Sequence, residues 1–351
     1  MTASLIAHAA DWGLALVPVL ILLGVFVWLD AFKLMSLGEV LVLLLLGGVG
    51  ALAAYPVSGR LLDALPIGFS SYSRFVAPWI EEAIKGFIVI LLFRANRIGY
   101  KLDAVISGFA VGAGFSLIEN ILYLTLYPQF GPGTWLVRGL GTAVMHGTTL
   151  AVLAATAHEF AERETRDAAG DFNFNLLWFV PGYLAAVALH TAFNQFPDQP
   201  LLAMLGAAVA SPILMLIIFQ FGTAEAQSWL EKEAREHQAQ IDALASGGWP
   251  GGSAGDKIRA LAERSGGDQP ERIRRYWQVQ AWLVLEAERS MANAAAGDSQ
   301  MDGTAVAAAF AELAQLQRSM GASVFAALKP LLPFSRNDYW ELSELRQRIG
   351  R

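Results

Sequence analysis

Acidic residues, histidines and asparagines lie inside four of the long apolar segments of this chain. In chain order they are Glu81 and Glu82 with Lys85, Glu119 with Asn120, His146, and His190 with Asn194. An ionisable side chain at the centre of a membrane-spanning helix costs about 2.5 kcal/mol or more, so each is a candidate for a functional site. Carboxylates and imidazoles that lie together can bind a divalent metal or activate water, which is the chemistry of hydrolysis.

These polar residues fall at similar depths when each apolar segment is taken as a helix. At about 1.5 Å of rise per residue, Glu81 and Glu119 lie about 9 Å from the nearer ends of their segments. On the same rise, His190 lies about 8 Å from its end and His146 lies about 15 Å deep. Because successive spans alternate in direction, these depths are measured from one side of the membrane. We therefore expect the four side chains to share one layer and one cavity.

The spacing inside each helix also favours a common site. Residues three or four positions apart share a helix face, so His190 and Asn194 can point at the same place. Glu81 and Glu82 differ by about 100° around the helix axis, so one can face the site while the other pairs with Lys85.

Two hydrolytic routes fit this set of residues. Zinc sites use histidine and carboxylate ligands and leave a position for water. A glutamate alone can instead act as general base, while Asn194 and a histidine donate hydrogen bonds to the developing oxyanion. The chain has no cysteine, which excludes thiol catalysis and Cys-ligated zinc.

The elements that position these residues are membrane helices. The chain has 351 residues, of which 55% are hydrophobic and 16% are charged, a composition typical of membrane proteins. A span needs about 20 mostly apolar residues. The pattern predicts an all-α, polytopic membrane helix bundle of about seven transmembrane helices, near 12–29, 38–56, 75–93, 103–125, 136–157, 175–195 and 200–221. In the fourth helix, Gly108, Gly112 and Gly114 predict close packing against neighbouring helices.

The basic residues near the ends of the spans predict the orientation. They concentrate after the first, third, fifth and seventh helices: Lys33; Arg94, Arg97 and Lys101; Arg163 and Arg166; Lys232 and Arg235. Positive loops stay in the cytoplasm. We expect the N-terminus outside and the C-terminus in the cytoplasm, with the polar layer in the outer half of the membrane.

The composition changes near residue 222. We expect residues 1–222 to form the transmembrane domain, 223–255 a helix and a Gly-rich linker, and 256–351 a helical cytoplasmic domain. No catalytic constellation occurs in the last region, and we interpret it as a small helical cytoplasmic domain or as a docking arm for an unidentified protein. No nucleic-acid partner is expected.

Residues 75–195 resemble the PrsW family of intramembrane proteases, which is related to the CAAX-prenyl endopeptidases and the bacteriocin-processing membrane proteases. The resemblance is carried by Glu81-Glu82-x-x-Lys85, by the stretch from Gly108 to Asn120 that ends Phe115-Ser-Leu-Ile-Glu119-Asn120, by His146, and by His190-x-x-x-Asn194. The related prenyl endopeptidases carry a histidine where Glu119 stands. This departure favours the PrsW branch.

The resemblance implies a peptidase in the bacterial plasma membrane that cuts a membrane-anchored substrate protein, typically an anti-sigma factor. Glu81 or Glu82 would be the general base. Glu119, His146 and His190 would be metal ligands or would position water, with zinc as the metal or with a metal-free glutamate mechanism. Asn194 would stabilise the oxyanion, and Lys85 and Asn120 would support the site.

Two other classes of function remain open from the sequence. A proton or ion transporter could use the same acids and histidines as a relay, although such proteins usually show internal repeats and interrupted helices, and we detect no repeat. The chain could also be a catalytically inactive membrane scaffold.

Overall fold

The computed structural model describes residues 2–28, 35–165, 174–196, 199–295 and 302–349. Within these ranges all regular structure is helical, which confirms the predicted all-α fold. Lys33 and Arg166, which entered the orientation argument, lie outside the described residues, as does the side chain of Lys232.

Contacts between Cα atoms divide the chain into two compact units. One unit holds most of residues 1–161 together with 175–222, and the other consists mainly of residues 223–351. The α-helices that begin in the first unit are α1 (Thr2–Trp28), α2 (Leu37–Ala64), α3 (Phe69–Phe75), α4 (Ala77–Arg94), α5 (Lys101–Leu126), α6 (Pro132–Leu136), α7 (Ala143–Thr165), α8 (Phe179–Phe193) and α9 (Pro200–Ala245). The others are α10 (Ser253–Ser265), α11 (Gln269–Ala295), α12 (Gly303–Met320), α13 (Ala322–Leu328) and α14 (Arg336–Ile349).

Four helical segments among the described residues are long and apolar enough to cross a membrane. They are Leu37–Ala64, Lys101–Leu126, Pro132–Glu164 and Leu176–Phe193. Shorter apolar stretches occupy Ala9–Val25 and Pro200–Ser211, and the segment expected at 75–93 is the 18-residue helix α4. The count of seven spans stays a prediction.

Two local interruptions set the positions of the site residues. The first is at Val76, where α3 ends, and Pro78 stands in the first turn of α4. Proline suits a first turn because its missing N–H has no partner to lose there. The helix therefore begins at Ala77, and Glu81 lies in its second turn. The second interruption is a π-helical segment, Val137–Thr142, directly before α7. Such segments occur often near functional sites.

Glycines bring the helices of the first unit close together. A Cβ atom on Gly108 would lie 2.6 Å from the Leu150 carbonyl oxygen of α7, and one on Gly112 would overlap the His146 backbone. A Cβ atom on Gly182 of α8 would lie 2.7 Å from the Leu153 carbonyl oxygen. The predicted role of Gly108 and Gly112 in packing is confirmed, and α7 is held against both α5 and α8.

The second unit has an apolar core of its own. It is built from the last turns of α9 and from helices α10 to α14, and Trp277, Leu283 and Phe334 are almost completely buried in it. The unit therefore has the packed interior of a folded helical domain.

Candidate active site

Helix α4 contributes a buried ion pair and a second carboxylate. The Lys85 Nζ atom lies 2.6 Å from Glu82 Oε1, and both side chains are fully buried. The expected pair with Lys85 is thus made by Glu82. The Glu81 side chain points in another direction and stays 15% exposed. Two adjacent glutamates consequently have different surroundings.

His190 on α8 faces both glutamates. Its Nδ1 atom lies 2.8 Å from Glu82 Oε1, and its Nε2 atom lies 3.9 Å from Glu81 Oε2. The Thr149 hydroxyl also donates to Glu82 Oε1, at 3.3 Å. Glu82 therefore ties α4 to α7 and α8 and fixes the imidazole of His190, leaving Nε2 directed at Glu81.

His146 on α7 bridges the ion pair and a third carboxylate. Its Nδ1 atom lies 2.8 Å from Lys85 Nζ, and its Nε2 atom lies 3.0 Å from Glu119 Oε2. Glu119 also forms an ion pair with Arg138, whose Nη2 atom is 3.2 Å from Glu119 Oε1. The imidazole rings of His146 and His190 meet edge to face, with centroids 5.0 Å apart. Glutamates, histidines and Lys85 thus form one connected network.

The side chains of the two asparagines singled out in the sequence form hydrogen bonds with the backbone and not with the network of glutamates and histidines. Asn194 is the C-cap of α8, and its side-chain amide donates to the Ser73 carbonyl oxygen of α3 at 2.8 Å. The Asn120 amide donates to the carbonyl oxygens of Ala15 and Arg138, at 2.9 and 3.3 Å. Both amides tie backbone segments together in this structure.

Two residues of the network were not singled out in the sequence. Arg138 lies near the start of the span predicted at 136–157, and in the structure it lies well inside the apolar helical segment Pro132–Glu164. Its guanidinium lies 3.7 Å from the centre of the Tyr123 ring and pairs with Glu119. Thr149 stands three positions after His146, on the same helix face. A charge inside an apolar span and a hydroxyl at that spacing were the available signals.

An apolar cavity of about 410 Å³ adjoins the network between α7, α8 and α9. Its lining includes Met145, Phe193, Leu202 and Ala207, and also Thr149. Thr149, whose hydroxyl donates to Glu82, therefore belongs both to the cavity wall and to the polar network.

The donor set matches that of a metal centre. Glu81, His146 and His190 each offer one ligand atom, and these atoms all lie within 4.8 Å of one another. Two histidines and a glutamate are a known ligand set for catalytic zinc, which leaves a further position for water. The carboxylate of Glu82 at His190 Nδ1 is the type of outer partner that orients a ligating histidine. The residues present therefore fit a zinc-like ion.

Comparison with known proteins identifies the family of this chain. A family model described as PrsW family intramembrane metalloprotease matches residues 35–221, more than half of the chain. No curated protein and no solved structure matches. The resemblance carried by residues 75–195 is confirmed and extends to the preceding and following helices. This chain belongs to the PrsW family of intramembrane metalloproteases.

Proposed function

We propose that this chain is an endopeptidase that hydrolyses a peptide bond in a membrane-anchored protein, with an anti-sigma factor or a similar regulator as substrate. The observation that carries the proposal is the convergence of Glu81, His146 and His190 from three different helices. The family membership gives the class of reaction. A transporter is not favoured, because a protease family accounts for the same buried residues.

The metal of the family would be held by Glu81, His146 and His190. This assignment differs from the one made from the sequence, in which Glu119 was the third ligand. When bound, the ion would lower the pKa of water and polarise the scissile carbonyl group. Glu119 is 20% exposed and lies beside His146, so it is the remaining carboxylate that can accept a proton from the reacting water.

The other members of the network position these groups. Glu82 fixes the ring of His190, and Lys85 neutralises Glu82 while contacting His146 Nδ1. Arg138 places a cation beside Glu119, where negative charge can be stabilised. Asn194, which the sequence suggested as an oxyanion donor, is instead assigned to holding the end of α8 against α3.

The substrate segment would approach through the apolar cavity between α7, α8 and α9. Its lining suits an apolar segment of a membrane protein, and Thr149 connects this lining to the polar network through its hydrogen bond with Glu82. The expected setting is a bacterial plasma membrane, with the N-terminus outside and the C-terminus in the cytoplasm.

The proposal is tested by co-expression with epitope-tagged single-pass membrane proteins, among them anti-sigma factors. Wild-type chain should release a shortened fragment on immunoblots. Glu119→Gln should lower its yield by about 10²–10⁴-fold, the range for loss of an acid–base group. Glu81→Gln should also lower the yield strongly, because it removes a metal ligand. Ala207→Trp should block the cavity and also reduce cleavage.

Metal content of the purified proteins separates the assigned roles. Glu81→Gln should lose the ion of this site, whereas Glu119→Gln should keep it. Asp63→Asn, an exposed acid near the end of α2, serves as control and should change neither property. Full cleavage by both glutamine variants would remove these carboxylates from the mechanism. Activity of a metal-free preparation would favour a glutamate mechanism with Glu81 as base.

A further inference from the structure

A second cluster of metal-binding residue types lies in the unit formed mainly by residues 223–351. It consists of His237 in the last part of α9, Glu288 on α11 and Asp338 in the first turn of α14. One ligand atom from each residue can be chosen so that all three lie within 4.8 Å of one another. The three side chains are only 5%, 1% and 3% exposed. The network described above uses none of them.

The imidazole of His237 is held between the two carboxylates. Its Nδ1 atom lies 2.9 Å from Glu288 Oε1, and its Nε2 atom lies 3.8 Å from Asp338 Oδ2. The ring stacks on Phe334, with centroids 5.9 Å apart. Asp338 is fixed in turn, because its Oδ2 accepts from the Ser335 N–H and its own N–H donates to the Ser335 hydroxyl. The side chains are therefore already ordered.

Each carboxylate leaves one oxygen unused. Glu288 Oε2 and Asp338 Oδ1 are buried and have no hydrogen-bond partner. The pKa of Asp338 is raised to about 6, mainly by burial and also by the neighbouring Glu288, against the opposing effects of His237 and Ser335. A buried carboxylate oxygen without a hydrogen-bond partner is costly, and in native proteins such oxygens are usually paired or coordinate a metal.

We propose that His237, Glu288 and Asp338 bind a divalent cation of the zinc class, which joins α9, α11 and α14. With a metal bound, the imidazole would be neutral and the two carboxylates would carry two negative charges, which a divalent cation would balance. Histidine nitrogen and carboxylate oxygen are both zinc ligands. Ligand atoms around a tetrahedral zinc ion lie about 3.3 Å apart, so small side-chain rotations would close the present spacing. The site is independent of the peptidase chemistry.

The test uses the full-length protein in detergent, in a background that carries His146→Ala and His190→Ala. These changes remove two ligands of the membrane site, so any remaining ion belongs elsewhere. After chelator treatment and reloading with Zn²⁺ alone, elemental analysis should find one zinc per chain. Adding His237→Ala or Asp338→Asn should abolish it. Adding Glu286→Gln, a matched acid on α11, should leave it unchanged.

Three further measurements distinguish loss of the metal site from misfolding. Circular dichroism must show that each variant keeps its helical content. Co²⁺ loaded in place of Zn²⁺ should give the visible absorption bands of a tetrahedral or five-coordinate ion in the unaltered cluster. Chelator should lower the unfolding temperature of the background protein and leave that of the Asp338→Asn variant unchanged. No bound zinc in the folded background, or zinc that survives His237→Ala, would overturn the proposal and identify the cluster as an internal ion pair.

Discussion

At the scale of single residues, Glu81 and Glu82 show how two neighbours with the same chemistry acquire different roles. Their positions differ by about 100° around α4, so one carboxylate is buried between helices and the other faces the site. Glu82 meets Lys85, His190 and Thr149. Glu81 keeps partial exposure near His190 Nε2. The buried ion pair of Glu82 and Lys85 holds the neighbouring side chains in place, and the partly exposed Glu81 carboxylate remains accessible.

The buried pair predicts a non-additive effect of mutation. Lys85→Met should destabilise the protein by about 3–5 kcal/mol, because it leaves Glu82 as an uncompensated buried charge. Adding Glu82→Gln should recover part of that loss, because the double variant contains no unpaired charge. The measurement is the temperature at which detergent-solubilised protein loses its helical circular dichroism. Equal or additive losses in the double variant would contradict the assigned pairing.

At the scale of elements, close contact between helices decides where the histidines stand. The backbone of His146 lies where a Cβ atom on Gly112 would be, and Gly182 allows α8 to approach α7 at Leu153. Small residues of this kind let membrane helices approach each other closely. The positions of His146 and His190 therefore depend on glycines that carry no chemistry.

We therefore predict that adding one methyl group to α5, at Gly112, changes the site, although Gly112 itself carries no reactive group. Gly112→Ala should destabilise the protein by about 1–3 kcal/mol, the usual cost of overpacking, and should lower cleavage by displacing His146. Gly59→Ala is the matched control, because a Cβ atom on that helical glycine meets nothing within 4 Å. Thermal unfolding and fragment yield would be measured for both variants. Gly112→Ala with normal stability and activity would show that α5 and α7 are not tightly packed.

The sequence was informative where the relevant spacing lies within one helix. The pairing of Lys85 with one of two glutamates followed from helical periodicity, and the packing role of Gly108 and Gly112 followed from their size. Contacts between helices could not be read in the same way. The approach of Lys85 to His146 depends on helix rotation, which residue spacing within a single helix does not fix. The pairing of Arg138 with Glu119 also joins two helices, so residue spacing within one helix does not indicate it.

Asn194 illustrates the same limit at a helix end. Its spacing from His190 placed both residues on one face and suggested a catalytic role. Asn194 is the C-cap of α8, so the helix ends there. Its side-chain amide donates a hydrogen bond to the Ser73 carbonyl oxygen. A spacing rule derived for helix interiors is unreliable at the last residue of a helix.

At the scale of the whole molecule, the predicted orientation of the chain determines which loops should be accessible from outside the cell. Gly131 precedes α6, and a Cβ atom there meets nothing within 4 Å. Ala95 is exposed at the end of α4, beside Arg94 and Arg97. Because basic loops stay in the cytoplasm, cysteine at Gly131 should react with an impermeant maleimide in intact cells, and cysteine at Ala95 should react only after permeabilisation.

The native chain has no cysteine, so the unaltered protein is the background control for this labelling. The reverse pattern would place the polar network in the cytoplasmic half of the membrane. Substrate cuts would then be sought on that side.

We propose that this chain cuts membrane proteins with the site formed by Glu81, His146 and His190. The most direct measurement is mass spectrometry of new protein N-termini in membranes from cells that produce either the wild-type chain or Glu81→Gln at equal levels. The wild type should generate N-termini within or beside the membrane segment of at least one single-pass protein, and Glu81→Gln should not. The same set of N-termini in both membranes would contradict the account.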